Sequence, residues 1–254
     1  MISKNKKILL LAEPSDKFAL KMIDIIYTSK LFDIAAIICT KKNKKNIKNL
    51  STRVKKNTKF FYEGFPHKNK KIMKFINKEK IKLALCLSFP NLIRINFINL
   101  FANGILNFHP AYLPYNKGSH SAFWSIMNKT PYGATLHFMN EAFDSGSIVD
   151  RIKKKYSNTI TADKIFIKSR LLCIELLKRN LKNIYNNSFL KLNNKKSNIY
   201  FKKDILKHTH LKLKGSIKIE KLWKLLRAVH YKKNGIFFKV KNKKFKLIPF
   251  IEKI

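Results

Sequence analysis

The sequence predicts an α/β fold: a Rossmann-like, mostly parallel sheet with a small C-terminal extension of one helix and a β-hairpin. Three observations predict it. Short apolar runs alternate with stretches whose apolar residues recur at helical spacing, the pattern of strands buried on both faces between covering helices. Four of the 7 glycines and four of the 7 prolines fall between positions 90 and 146, which marks tightly specified loops in mid-chain. The C-terminal stretch then reads as one helix followed by two strands rather than as a further repeat.

Taken in order, residues 7–12 form a short buried strand, and Pro14-Ser15-Asp16 supplies a turn and a helix N-cap. Phe18, Met22, Ile25 and Ile26 lie at helical spacing, and residues 34–39 are a second buried strand. Residues 41–59 are Lys/Asn-rich and read as a loop or frayed helix. Ile72, Phe75 and Ile76 mark a helix before a strand at 81–87. A helix at 92–101, a strand at 104–108 and strands at 135–139 and 148–152 follow. Ile165, Leu172, Leu176 and Leu177 define a long amphipathic helix over 163–185. A polar connection leads to a helix at 217–231 and a hairpin at 235–240 and 245–250. The expected division is a catalytic domain of residues 1–186 and a small C-terminal subdomain of 187–254. No Gly-x-Gly-x-x-Gly follows the first strand, so a dinucleotide fingerprint is absent.

Of 254 residues, 55 are Lys or Arg and 14 Asp or Glu, a formal net charge of +41. The excess is not uniform. Between Leu85 and Asp150 only Arg94, Lys117 and Lys129 oppose Glu141, Asp144 and Asp150, so that block is neutral. The flanks pair Lys with Asn and Ile, and two readings stand: compositional drift, or a polyanion partner reached by counterion release. Nonspecific RNA binding through the flanks is an expectation of the second. No apolar run approaches the roughly 18 residues of a membrane span, so no membrane partner is expected. Cys39, Cys86 and Cys173 are odd in number and widely spaced, which argues against a disulfide framework or a thiolate metal site. A protein of a reducing, cytoplasmic compartment is the expectation.

The chemistry concentrates at Asn107-Phe108-His109-Pro110. On a strand, Asn107 and His109 project to one side while Leu106 and Phe108 face the other. Pro110 ends the strand and leaves both polar side chains at its C-terminal edge, where open α/β sheets bind ligands. Asp144 lies in the later loop of residues 140–146. An amide, an imidazole and a carboxylate without a Ser or Cys nucleophile suit direct attack of an amine on an acyl carbon. Asn107 and His109 would hold the oxyanion, and Asp144 would orient His109, raise its pKa and help move the amine proton. His137 either lines the same pocket or belongs to the core.

The run Asn107-Phe108-His109-Pro110-Ala111-Tyr112-Leu113-Pro114, followed by Asp144-Ser145-Gly146, resembles the N10-formyltetrahydrofolate-dependent formyltransferases. Their catalytic Asn-x-His and the Asp of a later Asp-x-Gly loop fall on Asn107, His109 and Asp144. The resemblance runs from about Lys7 to Ile160. Leu113-Pro114-Tyr115-Asn116-Lys117-Gly118, Phe123-Trp124-Ser125-Ile126 and residues 130–137 are most similar to the branch that formylates amino groups on nucleotide-linked sugars. The resemblance implies N10-formyltetrahydrofolate as co-substrate, without a metal. Its site is implied at Leu85, Cys86, Leu87, Ser88 and Leu92 on one side and Asn140, Glu141 and Asp144 on the other. Plain sheet core is the alternative for the first stretch. A nucleotide-amino-sugar acceptor is implied near Tyr115, Asn116, Lys117, Gly118 and Trp124. Lys117 is either a phosphate ligand or a solvated lysine, and Trp124 either a stacking platform or core.

Three alternatives compete. Methionyl-tRNA formyltransferases carry a large C-terminal barrel, for which residues 186–254 are too short. Glycinamide ribonucleotide formyltransferases normally stop before an appended hairpin. A non-catalytic polyanion-binding protein on the same scaffold is the third. The Phe237/Phe238 hairpin either pairs with a second subunit, making a homodimer, or caps the long helices.

Overall fold

A computed structural model describes residues 6–13, 15–40, 54, 58–211, 217–229, 235–240 and 243–247. Much of the expected 41–59 loop and residues 248–250 of the second expected hairpin strand lie outside them. Contacts divide the chain into two compact units interleaved in sequence. The first comprises residues 1–109, 135–151 and 173–194, and the second residues 110–134, 152–172 and 195–254.

The main sheet begins with β1 (Lys6–Ala12), followed by α1 (Lys17–Thr28) and β2 (Phe32–Cys39). Asp16 caps α1, its Oδ1 accepting from the Phe18 and Ala19 amides at 2.9 and 3.4 Å. β3 (Lys59–Tyr62) begins at the last residue of the stretch that reads as loop and has no counterpart among the strands expected from the sequence. α2 (Lys70–Lys78) is capped by Asn69, and β4 (Ala84–Ser88) follows. α3 (Ile95–Ile98) is a single turn, far shorter than the helix expected over 92–101. Then come β5 (Ile105–His109), β6 (Lys117–Gly118), α4 (Ser121–Met127), β7 (Tyr132–Phe138) and β8 (Ile148–Lys154). The seven strands order as β3-β2-β1-β4-β5-β7-β8. β1 to β5 pair in parallel, and β7 runs antiparallel to β5.

The apolar runs read as buried strands because both faces are covered. Leu9, Leu11, Ala36, Ile38, Ala84 and Ile105 pack with Ile72 and Ile76 of α2 and with Phe97 and Phe101, while Ile8 and Leu10 are equally buried. α5 (Ala162–Asn186) is the long amphipathic helix, and its part from Cys173 onward belongs to the first unit. There Lys6 Nζ donates to the Ile184 and Tyr185 carbonyls at 3.2 and 3.1 Å, a cationic cap on the helix C-terminus.

In the second unit, β6 pairs in parallel with β9 (Ile199–Tyr200). α6 (Leu206–Thr209) and β10 (His210–Leu211) precede α7 (Ile219–Val229). The terminal hairpin is β11 (Ile236–Val240) against β12 (Lys243–Leu247), with β10 added in parallel to β11.

Candidate active site

β5 delivers two polar side chains to one face because strand residues alternate. Leu106 and Phe108 are buried in the sheet, and Asn107 and His109 point the other way. Register then adds a third group. Antiparallel pairing sets Asn107 directly opposite His137 and His109 opposite Thr135. Asn107 Nδ2 lies 3.1 Å from His137 Nε2. His137 Nδ1 lies 2.8 Å from the Phe138 carbonyl oxygen, which can only accept, so Nδ1 carries the proton. The Asn107 amide nitrogen can only donate, so His137 Nε2 accepts from it. One N–H of the Asn107 amide is used in this bond, and the second remains for a ligand oxygen.

The loop between β7 and β8 returns a carboxylate to this pair. Asp144 Oδ2 stands 3.5 Å from His109 Nε2, and its Oδ1 stands 3.6 Å from His137 Nε2. The turn adopts an uncommon shape, with Asp144 at φ 48°. Gly146 lets it close, because a Cβ there would sit 1.8 Å from the Phe138 carbonyl oxygen. The Asp144 side chain is 13% exposed, that of His109 10% and that of His137 2%, so the cluster is largely dry. His109 Nε2 is buried and makes no hydrogen bond with the described residues. A buried nitrogen left without a donor or acceptor fits a reacting polar atom supplied by a ligand.

The carboxylate was expected to raise the His109 pKa. Burial instead holds it below the usual imidazole value and outweighs the upward push of Asp144, with His137 adding a smaller downward push. His109 is therefore a neutral imidazole at pH 7, a base with a carboxylate placed to stabilise its protonated form.

Asn107, His109 and Asp144 thus meet, as the sequence predicts, and His137 joins them. His137 lacked a role in the sequence because the β5–β7 register cannot be read from spacing. On the implied folate side, Leu85, Cys86 and Leu87 are at most 4% exposed. Their side chains are buried in the sheet, in keeping with the core alternative for this stretch. Alternation explains this, since neighbouring strand residues face opposite layers and both layers are covered. Burial also pushes the Cys86 thiol up to about 12, which leaves it a packing group. Ser88 and Leu92 keep partial exposure, and Asn140 and Glu141 are exposed. Ser88 is fixed at the sheet edge, donating to Asp16 Oδ2 at 2.7 Å while its carbonyl accepts from the Glu13 amide at 2.9 Å.

The expected acceptor residues lie in the second unit and are mostly structural. Lys117 is 3% exposed, so the solvated reading is corrected, and its Nζ donates to the Lys195 carbonyl at 3.0 Å. That ammonium is an anchor in this structure rather than an open phosphate ligand. Asn116 is buried and donates to Ser125 and Thr130 at 3.1 and 2.7 Å. Gly118, at φ 86°, packs against the Tyr200 carbonyl, where a Cβ would meet oxygen at 2.3 Å. Trp124 is 4% exposed and stacks on Tyr200 with centroids 3.8 Å apart, which makes it core. Tyr115 alone of the set is open, 43% exposed and stacked on Tyr112.

The formyl transferase family model matches residues 6–171. GDP-perosamine N-formyltransferase of Brucella melitensis is 32% identical over 85 residues, covering 33% of this chain and 33% of that protein. Methionyl-tRNA formyltransferase of Mycoplasma genitalium is 30% identical over 115 residues, covering 42% of this chain and 36% of that protein. The chain thus spans about a third of the length of these curated relatives. A solved 4-N formyltransferase from Francisella tularensis superposes with a TM-score of 0.79 at 22% identity, covering 98% of this chain and 99% of that one. An N-formyltransferase from Helicobacter canadensis, in complex with folinic acid and dTDP-3-aminofucose, gives 0.68 at 18% identity, covering 96% and 87%. At these identities the likeness speaks to the fold. Among the described residues, no helix is long and apolar enough to cross a membrane.

Proposed function

The chain belongs to the formyl transferase family, and from that premise we propose that it moves a formyl group from N10-formyltetrahydrofolate to the primary amine of a nucleotide-linked amino sugar. The observation that carries the reading is the buried meeting of Asn107, His109, His137 and Asp144, with His109 Nε2 making no hydrogen bond among the described residues. The sugar acceptor is supported by the match to the Brucella enzyme and by the ligands of the Helicobacter structure.

The amine nitrogen bonds to the formyl carbon, the carbon–N10 bond breaks, and one proton passes from the amine to N10. Neutral His109 is suited to take that proton, because burial keeps it unprotonated until substrate arrives. Asp144, 3.5 Å away, stabilises the resulting imidazolium. The second N–H of Asn107 and the charged imidazole then stand ready for the tetrahedral oxyanion. His137 fixes the Asn107 amide so that its nitrogen, not its oxygen, is presented. For the folate, Ser88, Leu92, Asn140 and Glu141 are the residues of the implied set that retain surface, and the dry cluster beside them suits an acyl group kept from water.

The test is turnover of formyl-folate by the purified protein with dTDP-, GDP- and UDP-amino sugars in parallel with charged initiator tRNA. Formylated sugar with inert tRNA is the expected result. Formylated methionyl-tRNA would replace this reading with the second one, which the Mycoplasma match favours. No transfer to either would remove both.

A further inference from the structure

We propose that Asn194 is a positioning residue for Asp144, holding the catalytic turn from outside the sequence motif that contains it. The inference rests on the site assignment above. Asn194 Nδ2 donates to the Asp144 carbonyl at 2.8 Å and to the Gly146 carbonyl at 3.0 Å, from about fifty residues away in sequence. One amide nitrogen therefore uses both of its protons on the two carbonyls that bracket Ser145.

The turn needs such a hold. Asp144 sits in the left-handed region at φ 48°, and Gly146 is pressed against the Phe138 carbonyl. Within the turn, Ser145 Oγ donates to the Phe143 carbonyl at 2.8 Å, which ties the apex to itself and not to the sheet. Asn194 ties it to something rigid. Two residues before it, Leu192 bridges Ile148 in antiparallel fashion, with N–H to carbonyl distances of 2.9 and 2.7 Å in the two directions. The amide is thus delivered by a segment anchored to β8.

Its own chemistry points the same way. Asn194 Oδ1 is buried and finds no protein donor among the described residues. A buried acceptor left unmade is unfavourable, so the side chain is kept for its two donations rather than for its own satisfaction. Turning the amide over would set its oxygen against two carbonyl oxygens, which fixes its orientation. The carboxylate so held is 3.5 Å from His109 and 3.6 Å from His137, separations that a small drift of the turn would undo.

The experiment compares wild type with Asn194→Ala and the isosteric Asn194→Asp, which keeps the shape but, ionised, has no proton to donate. Two readouts are taken: steady-state kinetics, and NMR titration of the His109 imidazole without substrate. In both variants kcat should fall on the order of 10²-fold with KM unchanged, the scale of a catalytic group misplaced by about 1 Å. In Asn194→Ala, His109 should titrate at lower pH than in wild type, because Asp144 is the group that pushes its pKa up while burial and His137 push it down. Wild-type kcat in Asn194→Asp would make the side chain a space-filler and overturn the proposal. So would an unmoved titration, or a large drop in melting temperature showing that the amide serves the whole fold. The titration needs no turnover. If wild type formylates no acceptor yet the titration shifts, the functional reading fails while the positioning role stands.

Discussion

Substituting Gly146 by alanine tests whether the turn geometry sets the chemistry. A Cβ at this position would lie 1.8 Å from the Phe138 carbonyl oxygen, against the 3.0 Å below which such contacts are essentially never seen. The turn must therefore retreat by at least about 1.2 Å, the difference of those two distances. β7 cannot yield instead, because the Phe138 amide is itself bonded to the Ser147 carbonyl at 2.9 Å and the strand is paired with β5. Asp144 is two residues away, so its carboxylate drifts from 3.5 Å toward a distance at which it no longer steadies a charged His109. A misplacement of about 1 Å costs on the order of 10²-fold in rate, or about 2.7 kcal/mol of barrier. Overpacking should also cost about 1–3 kcal/mol of stability. Single-turnover formyl transfer at saturating substrate, beside urea denaturation, measures the two effects separately. A Gly146→Ala protein that transfers formyl at the wild-type rate would refute the claim that this close approach aims Asp144.

Other outcomes follow from the same geometry. His109→Ala should lose about 10²–10⁴-fold in transfer rate while keeping its fold, and unchanged turnover would remove His109 from the mechanism. The His109 pKa is lowered in the folded state, so between that value and the ordinary 6.5 the unfolded chain binds more protons. Its contribution to stability is complete above about pH 6.5 and declines as pH falls toward the folded value; denaturation from pH 7.5 to 5 should show a steeper slope in wild type than in His109→Gln, the remainder coming from groups such as His67 and His208 whose pKa burial also lowers. Trp124→Ala should cost about 3–5 kcal/mol of stability, as deletion of a buried ring stacked on Tyr200. A soluble, fully stable Trp124→Ala with weakened nucleotide affinity would restore the platform reading. The Lys-rich flanks should bind RNA with affinity that falls steeply with salt, and a flat response would refute a counterion-release mechanism.

How much was legible in the sequence depended on range. Alternation along one strand placed Asn107 and His109 on a common face, and Asp16 capped its helix, because both follow from residues a few positions apart. His137 opposite Asn107 and Asn194 beneath Asp144 depend on a strand register and on a return of the chain about fifty residues later, which no local period encodes. Burial within the second unit was not legible from loop composition either: Lys117 and Asn116 lie in a Pro/Gly-bounded loop, yet both are buried with protein hydrogen-bond partners. β3 was not read because it is only four residues long, too short for an alternation pattern, and it pairs at the sheet edge beside β2.

The net charge of the chain acts little on the site. The chain carries 55 cationic side chains, and yet the groups that act on His109 are burial, Asp144 and His137, with no lysine or arginine among them. Screening explains this: exposed charges lose most of their influence beyond a Debye length of about 8 Å in physiological salt, whereas a carboxylate 3.5 Å away inside a dry cluster keeps its full effect. Lysine can therefore accumulate on the flanks without shifting the base. Adding a lysine close to the site, at Phe143 on the exposed tip of the Asp144 turn, should by contrast pull the His109 pKa further down and move the acid limb of the transfer-rate profile to lower pH.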